Sequence, residues 1–285
     1  MNDNEYNISY EYAHLQEQPL SEMNSGLFNT YNSYRIKFDE LNFFKSHEKY
    51  ELPYFIAASK NYEKAKYRIM VIAQETRGWG SEFSHNHNYS PIVLDNFEVD
   101  EYVKILKQLN YPDEIIRALM ILYDERVNKE WGVPGILWKF YENLRVELEQ
   151  KQLPSTFGFI HNNIAKIANR DGKEFEEVRS GHPLNKELIS LISDEIEITD
   201  PNLIIFCTGN DSHYEEYMRD LSPEIVDLAD TLSSLNKVSN MSECKIGKKK
   251  RKIICCYHPC HLIFAKGGLK TSTDKIITLI KNEYS

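Results

Sequence analysis

Three short stretches carry side chains able to do chemistry on a bound ligand: Gln74-Glu75-Thr76, Asn162-Asn163 and His258-Pro259. Glu75 has the chemistry of a general base if a substrate and a water lie beside it, and backbone amides around Gln74 suit a carbonyl or an anion. The competing reading of this stretch is a turn whose carboxylate and hydroxyl cap a following helix. An asparagine amide offers one acceptor and two donors, which matches the edge of a pyrimidine base. Asn162-Asn163 equally suits a turn. His258 can donate to a developing oxyanion or exchange a proton, although a lone histidine is also a common structural residue.

Other groups stand around these. Trp79, Phe83 and Tyr89 sit in a polar, glycine-containing stretch after Gln74, where a ring could stack on a base or simply plug the core. Lys248, Lys249, Lys250, Arg251 and Lys252 form a basic run that suits a phosphate backbone or, more simply, a solvated turn. Cys255, Cys256, His258, Cys260 and His261 invite a zinc reading. Alternate strand residues point to opposite faces, so the five do not converge, and no CxxC pair is present. No cofactor and no metal are expected. Gly78-Trp79-Gly80 matches neither a dinucleotide-binding nor a P-loop pattern.

The elements that must position these residues are legible as apolar runs. Residues 67–74, 157–164, 202–209 and 252–257 read as buried strands. The chemistry-bearing residues therefore follow strand carboxyl ends, where open α/β sheets bind their ligands. Helical spacing recurs in Val99–Leu109, in Ile115, Leu119 and Leu122, and in Leu137, Tyr141, Leu144 and Leu148. Leu184–Ile192, a segment opened by Ser222-Pro223, and residues 273–282 complete the set. Strands alternating with helices predict an α/β fold, a three-layer α/β/α arrangement around a central four-stranded parallel sheet. Residues 1–60 read as an N-terminal extension packed on one α/β domain, 61–285.

The bulk numbers bound the partners. A chain of 285 residues with 41% apolar content is enough for a sizeable core. No apolar run approaches the ~18 residues of a membrane span, and the polar start is unlike a signal peptide, so a cytoplasmic protein with reduced cysteines is expected. A net charge of −9 argues against nonspecific coating of nucleic acid, but the last 41 residues are strongly basic.

The order strand then Gln-acidic, strand then Asn-x-x-Lys, strand then Gly, strand then His-Pro resembles the uracil-DNA glycosylase superfamily. The likeness runs from about residue 67 to 265 and rests on about a dozen motif residues. Ala73-Gln74-Glu75-Thr76-Arg77-Gly78 is similar to the family's first motif, with Thr76 in place of its proline and no tyrosine following. Asn163, in Asn163-Ile164-Ala165-Lys166, resembles the base-reading asparagine, with Asn162 as the other candidate. His258-Pro259-Cys260-His261-Leu262 resembles the second motif. The resemblance implies a DNA glycosylase-like hydrolase of a flipped-out, uracil-like base. Glu75 would activate water, His258 would stabilise the leaving base, and Gln74, Asn163, Trp79 and Phe83 would hold it. Leu262 would enter the duplex, and Lys248, Lys249, Lys250 and Arg251 would meet phosphates. The alternative is a catalytically silent protein of the same fold that binds a nucleobase, nucleotide or nucleic acid. The implied partner is DNA or a nucleobase-containing ligand.

Overall fold

A computed structural model of the chain describes residues 19–40, 53–75, 112–128, 135–151, 156–166, 183–263 and 268–284. At its centre is a five-stranded sheet: β1 (Tyr67–Glu75), β2 (Phe157–Ala165), β3 (Leu203–Phe206), β4 (Ser242–Ile246) and β5 (Lys249–Cys255). The order across the sheet is β2-β1-β3-β5-β4. The first four strands of that order are parallel, and β4 joins β5 antiparallel at the edge. The fold is thus α/β with a mostly parallel sheet, one strand wider than the sequence pattern predicts.

The fifth strand has a clear cause. Ser242–Ile246 alternates exposed and buried side chains, as an edge strand with one covered face does. Ile246 pairs with Lys249, so only Gly247 and Lys248 form the turn. Gly247 has φ +59, which a two-residue hairpin requires and glycine supplies without strain. The basic run is therefore strand rather than solvated turn from Lys249 onward, and β5 starts three residues earlier than its apolar pattern suggests.

Helices cover both faces of the sheet. They include α1 (Glu22–Glu40), α2 (Lys60–Lys64), α3 (Pro112–Tyr123), α4 (Ile136–Arg145) and α5 (Pro183–Thr199). Further along come α6 (Ser212–Leu221), α7 (Pro223–Asp230), α8 (Pro259–Leu262) and α9 (Gly268–Tyr284). Strand parity sorts them. Asn162 faces α5 through Glu195, whereas its neighbour His161 faces Trp138 and Tyr141 of α4. In register with Asn162, across Ile72 and Phe206, Cys255 meets α7 at the Ile225 carbonyl. One layer thus holds α1, α5, α6 and α7, and the other holds α4 with α8 and α9 packed on it. The helix α6, ten residues with a polar and acidic outer face, has no counterpart among the helices expected from spacing. The expected helix over Val99–Leu109 lies outside the described residues.

The core between these layers is continuous. It takes in Ile69, Val71, Ile160, Ile204, Ile205, Ile253 and Ile254 from the strands, and Tyr54, Phe55 and Ile56 from the segment before α2. A close backbone approach falls at Gly158, where an added Cβ would lie 2.7 Å from the Tyr62 Cα and 2.8 Å from the Ala65 Cβ. Only a residue without a side chain lets α2 cross the start of β2 at that distance.

Candidate functional site at the carboxyl edge of the sheet

The register fixes which residues share an edge. Ala73 pairs with Asn163 and Glu75 with Ala165, while Ile72 is level with Phe206 and Phe206 with Cys255. Gln74, Asn163, Thr208 and Tyr257-His258 therefore stand at the same carboxyl-terminal edge. The edge is tied across: the Gln74 amide donates to the Thr208 carbonyl at 3.1 Å, and the Gly209 N–H donates to the Cys256 carbonyl at 2.9 Å. Gln74 thus spends a donor on holding β1 to β3. The Glu75 side chain, Trp79 and Phe83 lie outside the described residues. The Glu75 backbone closes β1 on this edge.

Asn162 and Asn163 differ sharply although adjacent. Asn162 is fully buried under the sheet, donating to Glu195 Oε2 at 2.8 Å and accepting from the Lys166 ammonium. The same Asn162 Oδ1 accepts the Asn163 backbone N–H at 2.8 Å. Lys166 also pairs with Glu195 and donates to the Tyr54 carbonyl at 3.2 Å, and Tyr31 Oη donates to Glu195 Oε1 at 2.8 Å. Burial pulls the Lys166 pKa down, and the Glu195 carboxylate opposes that shift. Every polar atom of the Asn162 side chain is thus used inside the protein. Asn163 points to the opposite face, is 2% exposed, and leaves its Oδ1 without a partner.

The face that Asn163 shares with His161 is aromatic and sparingly polar. The His161 ring lies 4.8 Å from Trp138 and 5.5 Å from Tyr141, and its Nδ1 is 2.7 Å from Tyr54 Oη. Burial pushes its pKa down to about 3, with Lys166 and His258 adding to the shift. The ring is neutral at any ordinary pH. His258 opens α8, and its Nδ1 accepts the Cys260 N–H at 3.3 Å. In the neutral ring that bond assigns the proton to Nε2. The turn bearing His258 packs on α4, the helix that carries Trp138 and Tyr141.

Other predicted positions lie elsewhere. Leu262 is fully buried in the core, and the neighbouring Ile263 is the residue that reaches the surface, at 43% exposure. Lys249, Lys250 and Arg251 begin β5, which places them at the opposite, amino-terminal edge of the parallel strands. There they meet acidic partners: Lys249 with Asp200 at 2.8 Å, Arg251 with Glu197 at 3.3 Å, Lys250 with Glu243 at 3.8 Å. Lys248 donates its backbone N–H to Glu197 at 3.1 Å. The structure brings Gln74, Asn163 and His258 to one edge and leaves the basic run at the other.

Cys255 and Cys256 face opposite sides, and Cys256 lies 3.5 Å from Cys207, sulfur to sulfur, with this contact first and burial second raising its pKa. Among the described residues no group of three or more His, Cys, Asp or Glu converges in a way that would hold a metal ion. His161, Tyr141 and Trp138 are the site residues that motif reading passed over. The signal for His161 was present: it has the same strand parity as Asn163.

No protein-family model matches the chain, and no curated protein matches it in sequence. No helix among the described residues is long and apolar enough to cross a membrane.

Proposed function

We propose that this chain is a divergent glycosylase-like hydrolase that cleaves the N-glycosidic bond of a base held at the carboxyl edge of its sheet. The observation that carries the reading is Asn163: a buried amide with an unpartnered Oδ1, on the same edge as His258. Cleaving a base–sugar bond places negative charge on the base and positive charge on the sugar. A neutral histidine donating from Nε2 stabilises the former, and a carboxylate at the Glu75 position offsets the latter and positions water. The four parallel strands with helices on both faces agree with the uracil-DNA glycosylase-like arrangement that the motifs resemble.

The test is incubation with single- and double-stranded DNA carrying uracil, hypoxanthine or a thymine mismatch, followed by alkaline cleavage. Abasic product that vanishes in His258→Ala supports the reading. Absence of product on all three ends it for DNA.

Two observations favour a second reading, a silent protein that binds a nucleobase or nucleotide. The basic run expected to meet phosphates is ion-paired at the far edge, and Leu262 is inside the core. Calorimetric binding of free bases without turnover, lost in Asn163→Ala, would select this reading over the hydrolase.

A further inference from the structure

The sheet ends at β4. Among the described residues no further strand pairs with its outer side. An antiparallel strand turns the backbone groups of successive residues to alternate sides. Ile246 and Lys249 close the two-residue turn as a hydrogen-bonded pair, so Ile246, Cys244 and Ser242 bond inward to β5. Glu243 and Lys245 therefore aim their N–H and C=O groups outward. The Lys245 N–H shows the direction: it donates to Glu224 Oε2 of α7 at 2.8 Å. An exposed side chain thus fills a position in the ladder that a strand could fill.

The side chains on β4 select what that strand is. Cys244 and Ile246 are buried on the face under α7, whereas Glu243 and Lys245 are exposed on the other face. Across the ladder Lys245 stands opposite Lys250, a like-charge pair that opposes pairing. Glu243 lies 3.8 Å from Lys250 and 3.6 Å from Lys252, while Lys245 has no ion pair among the described residues. Charges on an edge strand commonly keep other strands away. These two alternate in sign and are complementary to themselves. A second copy running antiparallel about Cys244 sets Glu243 opposite Lys245 of that copy, and Lys245 opposite its Glu243. Both residues carry outward backbone groups, so each pair also exchanges N–H···O=C bonds. Centring the pair on Glu243 or on Lys245 instead sets like charges face to face, so charge selects one register. We propose that β4 is the interface of a two-fold symmetric homodimer, in which the sheets of two copies join through reciprocal Glu243–Lys245 pairs. Joining displaces the Glu224 carboxylate from the Lys245 N–H, and that exposed carboxylate returns to water. The interface lies at the opposite edge strand from Asn163 and does not rest on the proposed function.

Sedimentation equilibrium of the full-length protein over a range of concentrations tests the interface. The unaltered protein should show a monomer–dimer equilibrium. Lys245→Glu and Glu243→Lys each turn both cross-strand pairs from attractive to repulsive, and each should weaken self-association at least about 10-fold. Within the chain, Lys245→Glu faces Lys250 with opposite charge, so its melting temperature should hold or rise while its dimer is lost. Mixed in equal amounts, the two variants present only opposite charges to each other and should recover a mixed dimer. A protein that stays monomeric at every concentration overturns the inference. So does a dimer that both single substitutions leave unchanged, and so does a pair of folded variants that fail to associate when mixed.

Discussion

Lys166 and Glu195 form an ion pair at 2.5 Å with both side chains fully buried, linking the end of β2 to the last turns of α5. Two charges withdrawn from water are costly unless their remaining hydrogen-bonding capacity is filled. Here it is filled: Asn162, the Tyr54 carbonyl and Tyr31 complete the shell. The pair is therefore a fixed strut under the strand that carries Asn163 rather than part of the site itself.

Breaking one side of that pair should be far worse than removing both. Lys166→Met leaves Glu195 charged and buried, and should cost about 3–5 kcal/mol of unfolding free energy. Lys166→Met with Glu195→Leu removes both charges and should recover at least half of that loss. Urea unfolding of the two single variants and the double variant closes the cycle. A double variant as unstable as the sum of the singles would mean that the two groups act independently.

Close packing at Gly158 gives a second, independent test. Gly158→Ala places a methyl group 2.7 Å from the Tyr62 backbone, which neither a rotamer change nor a flexible neighbour relieves. The cost should be about 1–3 kcal/mol, the usual range for overpacking. A melting temperature equal to that of the unaltered protein would show that α2 lies further from β2.

The third prediction concerns acid. Unfolded, His161 titrates near the ordinary 6.5; folded, only near 3. Between those values the unfolded chain takes up a proton that the native one refuses, so the contribution to stability is full above pH 6.5 and lost as pH falls towards 3. Among the described residues, the groups around the ring are Tyr54, Trp138, Tyr141, Lys166 and His258, and none of these supplies a carboxylate that would hold the imidazolium. At pH 4.5 the contribution should be smaller than at pH 7 by about 2–3 kcal/mol, from 1.36 kcal/mol per pH unit. His161→Gln should flatten the stability profile over this range by that amount. Identical slopes for the two proteins would show that the native ring takes up protons freely.

The sequence shows what the backbone must bury and says less about what side chains meet. β1 and β2 are apolar runs closed by polar residues, so their ends, and with them Gln74 and Asn163, are found by pattern alone. β4 escapes because a half-covered edge strand alternates Ser, Glu, Cys, Lys and Ile and has no apolar run. The basic run beside it looks like a phosphate site because its counterions come from elsewhere in the chain: Glu197 and Asp200 from α5 and its end, Glu243 from β4. Likewise nothing local to Asn162 announces Glu195, which lies 33 residues further on. Motif spacing places two asparagines in a strand; only tertiary packing says which one is consumed.

That distinction is the sharpest test of the site. Asn162→Leu removes the acceptor for Lys166 and for the Asn163 N–H and the donor to Glu195, and should cost about 3 kcal/mol or more. Asn163→Leu removes an amide whose Oδ1 is already unpartnered, and should change stability by no more than about 1 kcal/mol. Base binding should be lost in Asn163→Leu while its fold persists, as judged by circular dichroism and denaturant unfolding. The same stability loss in both variants would mean that Asn163 is as structural as its neighbour, and the ligand edge would then have to be sought without it.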